Sequence, residues 1–75
     1  MHTNKDKVLL AYERNEKIRL ITEIVRILDG KLQQKDLVKL TGLSKALISY
    51  YIKNLTNAGI LAIDNEKKIH FLYKQ

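Results

Sequence analysis

The chain has 75 residues with no cysteine and no proline, and its fourteen lysines and arginines against eight acids leave a net charge of +6. A chain this short folds as one small domain that buries only about 60–65 % of its unfolded surface, and without cysteine it can build neither a disulfide nor a thiolate metal site. No apolar run approaches the about 18–20 residues of a membrane span, and Met1 to Leu10 lacks the pattern of a secretory signal, so a cytoplasmic protein without membrane contact is expected.

Residues 1–16 read as a helical extension and residues 17–75 as the folded domain. A helix unbroken from Lys5 to Leu28 would lengthen the buried stripe with Leu9 and Leu10, but it would set Val8 and Tyr12 over the polar side near Arg19, Glu23 and Arg26. Either the helix bends around Asn15, or Val8 and Tyr12 form a second apolar face. A dimer contact through that pair, and hence a homodimer, is expected, because a thin core without a staple gains most from association.

Ile18, Leu20, Ile21, Ile24, Val25, Ile27 and Leu28 spread over about half a helical wheel, predicting a helix with one broad buried face that Asp29-Gly30 ends. Lys31-Leu32 reads as a short extended piece. A short helix then begins at Gln33 or Gln34, with Leu37, Val38 and Leu40 facing in and Lys35, Asp36 and Lys39 facing out. Thr41-Gly42-Leu43 interrupts it: Gly42 offers the left-handed conformation of a tight turn, Leu43 can plug the angle between helices, and Ser44 is a good N-cap. The next helix should run from Ser44 to Ala58. At 3.6 residues per turn Leu47, Ile48, Tyr51, Ile52, Leu55 and Ala58 share one arc, and Ala46, Ser49, Tyr50, Lys53 and Asn57 share the other.

After Gly59 the period changes to 2. Leu61 and Ile63, then Ile69, Phe71 and Tyr73, predict a hairpin with one buried face around Asn65-Glu66-Lys67-Lys68; without an Asn-Gly or Asp-Gly pair, a loop of four or five residues is expected. The charge is concentrated on the helix pair: residues 31–58 carry five lysines and one acid, against six bases and five acids in residues 1–30. Such a local excess favours a polyanionic partner, since each neutralised phosphate releases condensed counterions. Solubility alone is the competing explanation for the lysines.

The order helix, short strand, helix, turn, helix, hairpin resembles the winged helix-turn-helix domain. Leu37, Val38, Gly42, Leu43, Ile48, Ile52 and Leu55 match its spaced apolar positions and turn glycine, Leu55 to Ile60 looks like its link into the wing, and the likeness covers Ile18 to Tyr73. The nearest flavour is that of small MarR-like and ArsR-like prokaryotic transcription regulators. The resemblance implies a mainly α fold with a small β-hairpin: a three-helix core and a two- or three-stranded wing. Two positions depart from it. Thr41 stands where the family often has a small or apolar residue, which fits if its hydroxyl bonds back to the preceding turn. The wing tip holds Asp64 and Glu66 beside Lys67 and Lys68, so these lysines are expected to touch phosphate rather than enter a minor groove.

In this family the N-terminal part of the recognition helix meets base edges in the major groove. Carried over, Ser44, Lys45, Ala46, Ser49, Tyr50 and Lys53 would face double-stranded DNA: lysine donating to guanine, serine bonding a base or phosphate, the Ala46 methyl packing on thymine. Tyr50 would bond a phosphate or cover a sugar, unless it folds back onto the preceding helix. Lys31, Lys35 and Lys39 would reach phosphates, unless they are only solvated. The two histidines, His2 and His70, have no carboxylate or second ligand at suitable spacing, so no metal is expected. No cofactor, small-molecule ligand or catalytic set is implied, and the chain does not read as an enzyme. The expected function is a sequence-specific, dimeric transcription regulator; a protein-interaction module and a non-specific architectural or replication protein are the alternatives.

Overall fold

The computed structural model describes residues 15–72. They form three helices, α1 (Glu16–Ile27), α2 (Gln34–Thr41) and α3 (Lys45–Asn57), followed by strands β1 (Leu61–Ile63) and β2 (Ile69–Phe71). The proposed contact residues Val8 and Tyr12, together with His2 and Tyr73, lie outside the described residues.

Helix α1 starts where its cap permits. Asn15 has extended backbone angles, and its side-chain oxygen accepts from the amides of Lys17 and Ile18 at 3.0 and 3.2 Å, satisfying two otherwise orphaned donors. The unbroken helix from Lys5 to Leu28 is therefore not formed. Ile21 and Val25 are fully buried, with Ile18, Ile24 and Leu28 packed at the edge of the core. The expected half-wheel is too broad: Leu20 and Ile27 are solvent-exposed, while among the described residues α1 packs on α2 and β2. Thr22 joins the buried arc instead. Its hydroxyl sits 3.0 Å from the Ile18 carbonyl and 3.1 Å from that of Arg19, so burial leaves no donor unpaired.

Helix α2 is capped by the Gln33 amide donating to the Asp36 carboxylate at 2.9 Å. Leu37 is fully buried and Val38 half-buried, but Leu40, expected to face in, is exposed near the end of this eight-residue helix. The turn is built as the sequence implies. Gly42 takes φ +75°, the Thr41 hydroxyl donates to the Leu37 carbonyl at 2.7 Å, and the same oxygen accepts from the Leu43 amide at 3.1 Å. That pair of hydrogen bonds is how threonine fills a position where a small or apolar residue was expected. Ser44 then caps α3, its hydroxyl oxygen accepting from the Leu47 amide at 3.1 Å.

Beyond α3, Gly59 at φ +77° turns the chain into the hairpin. The strands pair antiparallel, Leu61 opposite Phe71 and Ile63 opposite Ile69. Leu32 makes a single bridge to Ile69, which adds a third, one-residue strand beside β2. Five residues, 64–68, form the loop. Ile63 was expected on the buried face; it is exposed on the outer strand, while its partner Ile69, flanked on its other side by Leu32, is fully buried. The core gathers Ile21, Val25, Leu37, Ile48, Ile52, Leu55, Ile60, Leu61 and Ile69, so that every described element contributes. Each such side chain contributes roughly 1.5–3 kcal/mol on burial.

Candidate nucleic-acid interface

Helix α3 has two faces of opposite character. Ile48, Ile52 and Leu55 are buried in the core, with Leu47, Tyr51 and Ala58 half-buried beside them, which fixes the rotation of the helix about its axis. Thirteen residues at 1.5 Å each give a rod about 20 Å long. Rotation and length together decide what the other face presents. Ser44, Lys45, Ala46, Tyr50 and Lys53 are all exposed there, and no acid lies among them.

The individual groups differ in what they have left to offer. The Ser44 oxygen is used as an acceptor by the Leu47 amide, which leaves its hydroxyl hydrogen for an outside acceptor. Ser49 is half-buried and shares its hydroxyl with the Gln34 side-chain oxygen at 3.3 Å, so this serine faces α2 as much as solvent. Gln34 is thus part of the surface, although nothing local in the sequence marks it: the two residues meet only because α2 and α3 pack together. Tyr50 does not fold back onto α2. Its side is open to solvent, and its ring tilts against Tyr51 with centroids 5.6 Å apart, which limits the rotamers it can adopt.

The outlying lysines differ in exposure. Lys31, Lys35, Lys39 and Lys67 are exposed, while Lys68 is half-buried. The wing loop is tied to the start of α2 by the Gln33 side-chain amide, which donates to the Glu66 carbonyl at 2.9 Å. Lys67 sits at φ +64°, an unusual conformation for a side chain, held by its amide donating to the Asp64 carbonyl at 2.9 Å.

Asp64 and His70 correct the sequence reading of the wing. Asp64 is not a free acid: one carboxylate oxygen accepts from the amides of Glu66 and Lys68 at 2.8 and 2.9 Å. The other lies 2.7 Å from His70 Nε2, so the histidine does have a carboxylate partner, brought to it by the hairpin. The hydrogen bond from His70, followed by those from the backbone amides, holds the Asp64 carboxyl below the ordinary carboxylate range. On the far side of the ring, Asp29 Oδ1 accepts from the Phe71 amide at 2.8 Å and lies 3.7 Å from His70 Nδ1. Among the described residues no group of three or more histidine, cysteine or acidic side chains has the arrangement of a metal site, and no helix is long and apolar enough to cross a membrane.

A family model for the winged helix-turn-helix DNA-binding domain matches residues 14–62, about two thirds of the chain, from just before α1 into β1. No curated protein and no solved structure is matched by this chain. The matched span contains all three helices, the Gly42 turn and the entry to the wing, in the order in which the structure assembles them. The chain belongs to the winged helix-turn-helix DNA-binding family, and its partner is double-stranded DNA.

Proposed function

We propose that the protein is a sequence-specific transcription regulator that inserts α3 into the major groove as a cytoplasmic homodimer. One observation carries this reading: the acid-free outer face of α3, with Lys45, Ala46, Tyr50 and Lys53 exposed on a helix anchored through Ile48, Ile52 and Leu55. A major groove about 12 Å wide admits such a helix, and lysine, serine and a methyl group are groups that read base edges. In this reading Lys45, Ala46 and Ser49 contact bases, Ser44, Tyr50 and Lys53 fix the helix against the strands, and Lys31, Lys35, Lys39, Lys67 and Lys68 supply phosphate contacts. Residues 1–16 act as the extension through which Val8 and Tyr12 join two copies of the domain at 17–75.

The test is selection from a random duplex pool, followed by binding of the enriched site and of random duplex. Lys45→Ala should weaken the preferred site by about tenfold or more, as the loss of one good contact does, and random duplex much less, whereas Tyr50→Ala, which removes a contact to the DNA backbone, should weaken both alike. Lys39→Ala should weaken both alike. Equal losses for all three variants would remove base reading from α3. A pool that yields no motif would point to a non-specific DNA-binding protein, and no duplex binding even at low salt would point to a protein-docking role for the same face.

A further inference from the structure

Residues 64–67 of the wing loop are all exposed, so no buried side chain anchors them and their order rests on hydrogen bonds. The loop supplies some of these itself: the amides of Glu66 and Lys68 donate to Asp64 Oδ1 at 2.8 and 2.9 Å, and the Lys67 amide donates to the Asp64 carbonyl at 2.9 Å. Another arrives from 33 residues away. The Gln33 side-chain amide donates to the Glu66 carbonyl at 2.9 Å, and the backbone from which it projects is fixed by the Gln33 amide bond to Asp36. Strand β2 is already held beside this point, since the Ile69 amide donates to the Leu32 carbonyl and the Gly30 amide to the Ile69 carbonyl, both at 2.8 Å. Gln33 carries that attachment on into the loop.

The place where Gln33 takes hold matters. The peptide group joining Glu66 to Lys67 is gripped on both sides, its carbonyl by Gln33 and its N–H by the Asp64 carbonyl. The orientation of this group sets the φ of Lys67, which is +64°. A residue with a side chain persists in that region only where its surroundings hold it there. Once the Glu66 carbonyl is released, one of the two grips on the peptide is gone, and the backbone of Lys67 can relax toward ordinary angles that aim its side chain elsewhere.

We infer that Gln33 is a positioning residue for DNA binding: it fastens the wing loop to the start of α2, so that Lys67 meets a phosphate without the loop having to be ordered on binding. The inference rests on the reading in which Lys67 touches phosphate. Its size is bounded by the bond itself, because a single net hydrogen bond shifts an order–disorder balance about two- to tenfold, and an ordering cost removed beforehand appears as affinity.

The experiment compares Gln33→Met, which keeps the length but not the donor, with Lys67→Ala, alone and combined, in the full chain. In the free protein, exchange of the Lys67 amide should quicken about two- to tenfold in Gln33→Met, while the amides of α2 keep their rates. Gln33→Lys, which restores a donor, should slow that exchange again. On a mixed-sequence duplex, Lys67→Ala should lower the salt slope by about 0.9 for each copy bound. Gln33→Met should weaken binding about two- to tenfold for each copy with the slope unchanged, since Lys67 still reaches its phosphate once the loop has been ordered. In the Lys67→Ala background the same substitution should cost nothing further. A full additional loss there would make Gln33 a direct DNA contact and overturn the inference. An unmoved loop would overturn it too, and α2 amides that open together with the loop would leave Gln33 a helix cap instead. A Lys67→Ala protein with unchanged affinity and slope would sink the phosphate reading of the wing alone, because the exchange rates report the fastening by Gln33 without DNA.

Discussion

At the scale of single residues, two glycines show how much the same backbone angle depends on its surroundings. Gly30 and Gly42 both take φ +75°, and a side chain at either is strained by about 1–2 kcal/mol in the left-handed region. Around Gly42 there is open space, whereas a Cβ at Gly30 would stand 2.8 Å from the His70 ring. The ring cannot retreat without leaving Asp64, to which Nε2 is bound at 2.7 Å. Gly42→Ala should therefore cost about 1–2 kcal/mol in urea unfolding. Gly30→Ala should cost more and also move the His70 ring signals in NMR, and equal costs with an unmoved ring would argue against the packing described. The turn glycines, the Ser44 cap and the Thr41 bond were legible in the sequence because each acts within four residues of itself. His70 was misread for the opposite reason. Its partners Asp64 and Asp29 come from the far end of a loop and from the end of α1, and no local spacing brings those three together.

At the scale of elements, the hydrophobic period identified the three described helices and the hairpin but overstated how much of each is covered. Leu20, Ile27, Leu40 and Ile63 follow the pattern and are exposed. Periodicity gives the widest arc that could be buried; the neighbours set the arc that is, and among the described residues α1 packs on α2 and β2. The wing loop adds a chemistry that the pattern cannot carry. Asp64 bonds two amides of its own loop and the His70 ring, and its carboxyl is held below the ordinary range chiefly by His70. A group whose folded value is depressed contributes stability that is fully present above its unfolded titration and is lost as pH falls through the folded value. The wing should therefore loosen only in acid. Amide shifts of Glu66 and Lys68 should change as pH drops through and below the normal aspartate range. Asp64→Asn, which keeps an acceptor for the amides but not the charge, should flatten that transition; an identical acid transition in the variant would remove Asp64 as its cause.

At the scale of the whole molecule, a small core and a lopsided charge pull the same way. The domain buries a single cluster of aliphatic side chains, so association offers stability that a chain of this size cannot draw from its interior. The charge, meanwhile, is carried on one unit: of the net +6, the residues from Lys31 to Ala58 hold five lysines and one acid. If two copies place their α3 helices in successive major grooves, the selected site should be a palindrome with half-site centres about one helical turn, 10–10.5 base pairs, apart. Binding should then fall steeply with salt, because each phosphate neutralised by a lysine contributes about 0.9 to the slope of log affinity against log salt. Lys39→Ala removes one such contact from each copy. Titrations of the palindrome between 50 and 200 mM salt should thus show the slope reduced by about 1.8 for a dimer and by about 0.9 for a monomer. The size of that change counts the copies on the DNA, and sedimentation of the complex provides an independent count. An unchanged slope would leave Lys39 a solvated surface charge, and the phosphate contacts would have to be sought on the wing, at Lys67 and Lys68, instead.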